Sequence, residues 1–229
     1  MAAHGYSELN PSRRLLMGPG PSDAHPRVLR AMTTPLLGHL DPEFLELMEE
    51  SKTLLRSAFG TANDLTIPIS ATGSAGMEAA FVNVVEPGDD VIVCVNGVFG
   101  QRMSDIVGRC GANLTRVEAD WGATVAAEDV AAALKAVKNP KVVAIVHAET
   151  STGVLQPLGD IAALARDHGA LSLVDAVTSL AGAPVDVDAT GIDVAYSGTQ
   201  KCLSCPPGLS PITFSARALE VIQARKTKV

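Results

Sequence analysis

The sequence predicts an α/β fold in which a mostly parallel, seven-stranded sheet carries helices on both faces. Three observations predict it. Seven short apolar runs alternate with longer runs of helical period, the pattern of strands joined by crossover helices. Nearly every polar cluster falls directly after a strand run, where open α/β sheets hold their ligands. At 229 residues, 47% hydrophobic and 19% charged, the chain has apolar material for a large core.

The elements follow in order. After a polar arm through Arg13, Leu15-Leu-Met-Gly-Pro-Gly-Pro21 reads as extended chain broken by two Gly-Pro turns. A short helix is expected over 25–32. The next helix is amphipathic, with Phe44, Met48, Leu55 and Phe59 on one face and Leu47, Leu54 and Ala58 beside them. Asp41 caps it and Pro42 opens it. Strands are expected over 65–70, 90–96, 113–118, 142–147, 170–175, 193–197 and 210–214. Helices over 74–85, 100–109, 128–137 and 158–168 separate most of them, and a last helix covers 216–226. The final two strands have no long helix between them, which leaves mixed pairing open there. No repeat or Gly/Ser linker interrupts the chain, so the expected division is an N-terminal arm over 1–20 and one large domain over 21–229.

Composition narrows the function. A net charge of −7 and a pI near 5.2 leave no basic stripe to neutralise a phosphate backbone, which argues against a nucleic-acid partner. Aromatic residues make up only 3% of the chain, so stacking platforms for single strands are missing too. No apolar run approaches the roughly 18 to 20 residues of a membrane span. Four cysteines and a polar start without a secretory apolar region fit a reducing, cytoplasmic setting, with a peroxisomal one also open.

The polar clusters carry the chemistry. Lys201 lies in a run that ends Pro206-Pro-Gly208, and Asp175 ends an apolar strand run. A lysine at the mouth of an α/β sheet suits a carbonyl cofactor that needs an imine, and a carboxylate ending a strand suits a pyridinium nitrogen. That pair suggests pyridoxal phosphate. Lys201 read alone is equally a surface lysine, and Asp175 a cap for the next turn. Ala71-Thr-Gly-Ser-Ala-Gly-Met-Glu78 follows a strand and opens a helix, which makes a phosphate cup or simply a tight turn. Phe99, in a glycine-flanked turn, can stack on a planar ring or fill the core. His147-Ala-Glu-Thr-Ser-Thr-Gly-Val154 crowds donors that suit a phenolic oxygen or a substrate carboxylate, or form a capped turn. Ser197 and Gln200 flank Lys201 and could reach a phosphate. Cys202 and Cys205 form one C-x-x-C without a second pair at metal spacing, so no metal site is expected.

Taken in order, these motifs resemble the class V aminotransferases, fold-type I pyridoxal phosphate enzymes, nearest their alanine/serine-glyoxylate (serine-pyruvate) branch. The resemblance rests on Leu16-Met-Gly-Pro-Gly-Pro-Ser22 with Leu37-Gly-His39, Thr72-Gly-Ser-Ala-Gly-Met-Glu78, Gly97-Val-Phe-Gly-Gln-Arg102, Glu149-Thr-Ser-Thr-Gly-Val154, Val174-Asp-Ala-Val177 and Ser197-Gly-Thr-Gln-Lys201. It implies that Lys201 is the Schiff-base lysine, that Asp175 meets the pyridinium, and that Thr72, Gly73, Ser74 and Gln200 meet the phosphate. Phe99 would stack on the ring, where tryptophan is common in this branch, and Thr150 would contact the phenolic oxygen or substrate. The implied activity is pyridoxal 5'-phosphate-dependent transfer of an amino group from alanine or serine to glyoxylate or pyruvate. A homodimer is implied as well. Family members are longer, with a C-terminal small domain that supplies an arginine for the substrate carboxylate. The expectation is therefore a chain without that domain, either an enzyme or a cofactor-holding, dimer-forming remnant.

Overall fold

The structure, a computed structural model, describes residues 9–228; the first eight residues of the predicted arm and Val229 lie outside the described residues. The remainder of the arm has no helix or strand before α1 (Pro26–Ala31). In α2 (Pro42–Phe59), Asp41 accepts from the Glu43 amide at 2.9 Å. Gly60 ends it at φ 64°, the left-handed turn that glycine adopts without a Cβ clash.

The alternating part follows as β1 (Leu65–Ile69), α3 (Gly73–Val84), β2 (Asp90–Val95), α4 (Val98–Arg109), β3 (Asn113–Glu118), α5 (Ala127–Ala136) and β4 (Pro140–Val146). Next come β5 (Ala148–Glu149), β6 (Val154–Leu155), α6 (Gly159–Asp167), β7 (Leu171–Asp175), α7 (Val187–Thr190), β8 (Val194–Tyr196), β9 (Ser210–Phe214) and α8 (Ala216–Gln223). All seven expected strands join one sheet in the order β1-β9-β8-β7-β4-β2-β3. Its pairings are parallel except for β9, which runs antiparallel to both β1 and β8. The mixed pairing left open by the absence of a long helix between β8 and β9 is realised there.

Two prolines at matching positions show how β9 is accommodated. Pro68 and Pro211 face each other across β1 and β9, and β1 is an edge strand, so the missing Pro68 donor costs no ladder bond. On the other side of β9, the Ser197 amide donates to Pro211 at 2.8 Å, and Pro211 has no N–H to return. The Ser210 hydroxyl donates to the Ser197 carbonyl at 2.6 Å in its place. Gly76 on α3 makes room for it, since a Cβ there would lie 1.9 Å from the Ser210 oxygen.

The core has two layers, one on each face. Phe59, Val130, Leu134, Ile161 and Leu180 pack on one side; Met77, Phe81, Met103, Tyr196 and Ile212 pack beneath α3, α4 and α8 on the other. Fully burying one such side chain contributes roughly 1.5–3 kcal/mol before entropy is counted. The structure adds the two-residue ribbon β5–β6 and the four-residue α7, both too short to show a period in sequence. It also starts α4 at Val98, not at residue 100, which moves Phe99 from a turn into the first turn of a helix. Among the described residues no helix is long and apolar enough to cross a membrane.

Candidate active site

The carboxyl ends of β7 and β8 and the starts of α3 and α4 surround an open cleft of about 180 Å3. Asp175, the last residue of β7, forms its floor. Only 2% of its surface is accessible. One carboxylate oxygen accepts from the Val177 amide at 2.8 Å and the other from the Tyr196 hydroxyl at 2.7 Å. Burial pushes its pKa up to about 6 against the pull of those two bonds and of Lys201. A buried carboxylate in that state is stabilised by a cation brought to it. Tyr196 is itself fully buried, and that burial, with Asp175 beside it, holds its hydroxyl protonated as a donor.

The start of α3 is open. Helix geometry leaves the amides of Gly73 and Ser74 without intrahelical acceptors, and Thr72 at the cap position makes no side-chain bond to them. Free N–H groups and the positive end of the helix dipole favour an anion at that place. Gly73 packs tightly, because a Cβ would sit 3.1 Å from Val177.

The start of α4 differs. The Phe99 amide donates to Glu149 at 3.1 Å and the Val98 amide to the Ser151 hydroxyl at 3.0 Å. Glu149, only 1% accessible, also accepts from the Ser151 amide and hydroxyl. A Cβ at Gly97 would lie 2.3 Å from Glu149. The protein's own carboxylate thus satisfies α4, fixing Phe99 at the cleft wall, while α3 keeps its donors for something external.

Lys201 reaches the cleft from the far side. Its Nζ donates to the Pro19 carbonyl at 2.6 Å, and Gly20 packs against its chain so closely that a Cβ would lie 2.5 Å from Nζ. The Ser22 hydroxyl and amide hold the carbonyls of Lys201 and Gln200, both at 2.7 Å. Burial lowers the Lys201 pKa, with Asp175 and Cys202 opposing the shift. The residues Leu16 to Ser22, which take in most of the extended stretch expected over 15–21, are therefore a strap across the lysine.

Thr72, Gly73, Ser74, Phe99, Asp175, Gln200 and Lys201 all line this one cleft. The Gln200 side-chain oxygen is buried against Gly198 without a partner, so the NH2 end of that amide is the one that can meet an anion. Thr150 stands apart. It lies outside the cleft lining, and its hydroxyl bonds that of Thr178. Ser197 does not reach the cleft either: it is fully buried and donates to the Ala176 carbonyl at 3.0 Å. His147 lines a separate cavity with Gln156 and Pro184. Cys202 and Cys205 each bond a backbone carbonyl, and no group of three potential metal ligands occurs among the described residues. Sequence reasoning missed Tyr196, Glu149 and Arg102, whose partners are set by the fold and not by spacing.

A larger cavity of about 290 Å3, lined by Glu78, Arg109, Cys110 and Arg225, adjoins the end of α3 and the entry to β2. It lies away from the carboxyl ends of the strands and brings no amine near a buried carboxylate. Chemistry, not size, selects the cleft at Lys201. An open anion cup, a half-buried amine of lowered pKa, a buried carboxylate awaiting a cation and an aromatic wall together suit a phosphorylated aromatic aldehyde.

Comparison with known proteins points to one family. The family described as Aminotransferase class-V matches residues 16–227. The (S)-ureidoglycine–glyoxylate transaminase of Bacillus subtilis is 46% identical over 222 residues, covering 97% of this chain and 53% of the relative. The alanine–glyoxylate aminotransferase of Drosophila melanogaster is 44% identical over 94% of this chain and 55% of its own length. A crystal structure of alanine–glyoxylate aminotransferase from Nostoc sp. superposes with a TM-score of 0.96 at 51% identity, covering 98% of this chain and 59% of that one. The chain spans about half the length of the curated relatives it matches.

Proposed function

Because the chain belongs to the class V aminotransferase family, we propose that it serves a pyridoxal 5'-phosphate-dependent transamination, moving an amino group from alanine or serine to glyoxylate or pyruvate. Pyridoxal 5'-phosphate is the cofactor of this family. The observation that carries the reading is the convergence on one cleft of Lys201, buried Asp175 and the open start of α3. The relatives named for glyoxylate transamination support the choice of acceptor.

When bound, the cofactor supplies a carbonyl that takes up an amine and a ring that withdraws electrons from the substrate's α-carbon. The chain's residues do the rest. Amides of Gly73 and Ser74, with Thr72 and Gln200, bind the phosphate, and Phe99 and Val177 form apolar walls for the ring. Asp175, fixed by Tyr196 and the Val177 amide, holds a proton on the ring nitrogen. Lys201 would supply the amine, and its Nζ would be the group that moves a proton to and from the substrate's α-carbon. Burial serves this task by lowering the Lys201 pKa and so raising its neutral fraction. Thr150 can serve a substrate or ring oxygen while bonded to Thr178, provided that the Thr178 hydroxyl is the donor of that pair. In this reading residues 21–229 form the cofactor-holding large domain.

The test is spectroscopic. Pyridoxal 5'-phosphate added to the chain gives the absorbance of lysine-bound cofactor, Lys201→Ala abolishes it, and alanine or serine shifts it. A band that forms but answers to no amino acid leaves a cofactor-holding chain and sinks the transaminase reading.

A further inference from the structure

Arg102 is the cleft's other cationic side chain besides Lys201, and the reading above gives it no role. It follows Phe99 by three residues on α4, so the two side chains leave the helix on one face. Its guanidinium lies 5.2 Å from the centroid of the Phe99 ring, and Nη1 donates to the Ser74 hydroxyl at 3.0 Å. That hydroxyl belongs to the second residue of α3, beside the amides that the helix start leaves open. We propose that Arg102 is an anion-binding residue of this cup, supplying the charge that pairs with the cofactor's phosphate while its planar group rests on Phe99.

The inference rests on the cofactor reading and adds to it a residue and a charge. A helix start offers roughly half a positive charge, whereas a phosphate monoester carries about −1.5 to −2 at neutral pH. Amides and hydroxyls alone leave that charge largely unbalanced. A guanidinium closes the gap, because its flat fork matches phosphate oxygens in pairs. Among the described residues only one of its nitrogens has a protein acceptor, a neutral hydroxyl, so its remaining donors are available. The aromatic face beneath it fixes the plane of the fork without consuming a donor. Glu149 does not compete for it, being engaged by the Phe99 amide and Ser151.

The experiment compares two aldehydes that differ only in the phosphate. The full chain and its Arg102→Gln and Arg102→Lys variants are titrated with pyridoxal 5'-phosphate and with pyridoxal, reading the absorbance of the lysine-bound aldehyde, with inorganic phosphate as competitor. Arg102→Gln is expected to weaken pyridoxal 5'-phosphate binding roughly 10- to 100-fold, the worth of a charge-assisted hydrogen bond. Its affinity for pyridoxal stays unchanged, Arg102→Lys recovers part of the loss, and inorganic phosphate competes less well. Arg109→Gln, on the same helix but paired with Asp105 in solvent, changes neither affinity. Equal losses for both aldehydes mean that Arg102 only buttresses Phe99, and unchanged or tighter phosphate binding means that it merely occupies the ring's place; either result overturns the proposal. A parent chain that binds neither aldehyde overturns the cofactor reading and this inference together, whereas a parent that binds both as its variants do sinks the inference alone.

Discussion

Asp175 combines a functional asset with a stability cost. Its pKa, pushed up to about 6 by burial from the ordinary 3.8, means that the folded chain keeps a proton that the unfolded chain has released. The stability this confers is complete below the ordinary value and is lost as pH rises to about 6. At neutral pH the cofactor-free chain is therefore less stable by up to about 3 kcal/mol on this account. Asp175→Asn removes the charge and keeps the bond from the Val177 amide, while its NH2 now donates to the Tyr196 oxygen in place of accepting from it. It should raise the denaturation midpoint of the cofactor-free chain above pH 6 and flatten its slope between pH 4 and 6, while ending tight cofactor binding. A variant as pH-sensitive as the parent contradicts this account. Asp175 was legible in sequence because a carboxylate ending an apolar strand needs a reason. Tyr196 was not, since its bond to Asp175 depends on β7 and β8 lying side by side.

At the scale of elements, α3 and α4 present contrasting starts to the same cleft. The sequence marks both with small residues after a strand, and nothing local tells which start is filled from within. Glu149 decides it, arriving from β5, a strand two residues long. Glu149→Ala should leave the Phe99 amide unpaired and destabilise the chain by roughly 2–3 kcal/mol. Hydrogen exchange should speed up first at the opening turn of α4, and a uniform loss of protection would count against a local role. The strap from Leu16 to Ser22 was visible as a Gly-Pro stretch and a family motif, but not as a contact. Its contact with Lys201 joins residues that no periodicity links.

For the whole molecule, alternation alone was enough to give the seven strands and their mainly parallel sheet, because each strand and helix carries its own period. Strand order was not legible, since the return of β9 between β1 and β8 depends on which surfaces fit. Long apolar side chains also remain on the outside, with Leu36 99%, Leu40 76% and Leu54 63% accessible. Leu36 and Leu40 lie four residues apart just ahead of α2, and we propose that a second copy of the chain covers them. Sedimentation should show a dimer that dissociates on dilution, and Leu36→Glu with Leu40→Glu should yield monomers. A monomeric parent at high concentration rules out that use of the surface.

The place of β9 also sets a timetable. β1 touches the sheet through β9 alone, and the buried hydroxyl pair that clasps them, Thr66 with Thr213, spans 147 residues of chain. During synthesis from the N-terminus, β1 emerges early and finds no strand to pair with until β9 has left the ribosome. Until then β8, too, has a bare edge. The parallel strands between them can assemble first, but the closing of this sheet is the act of a single late strand.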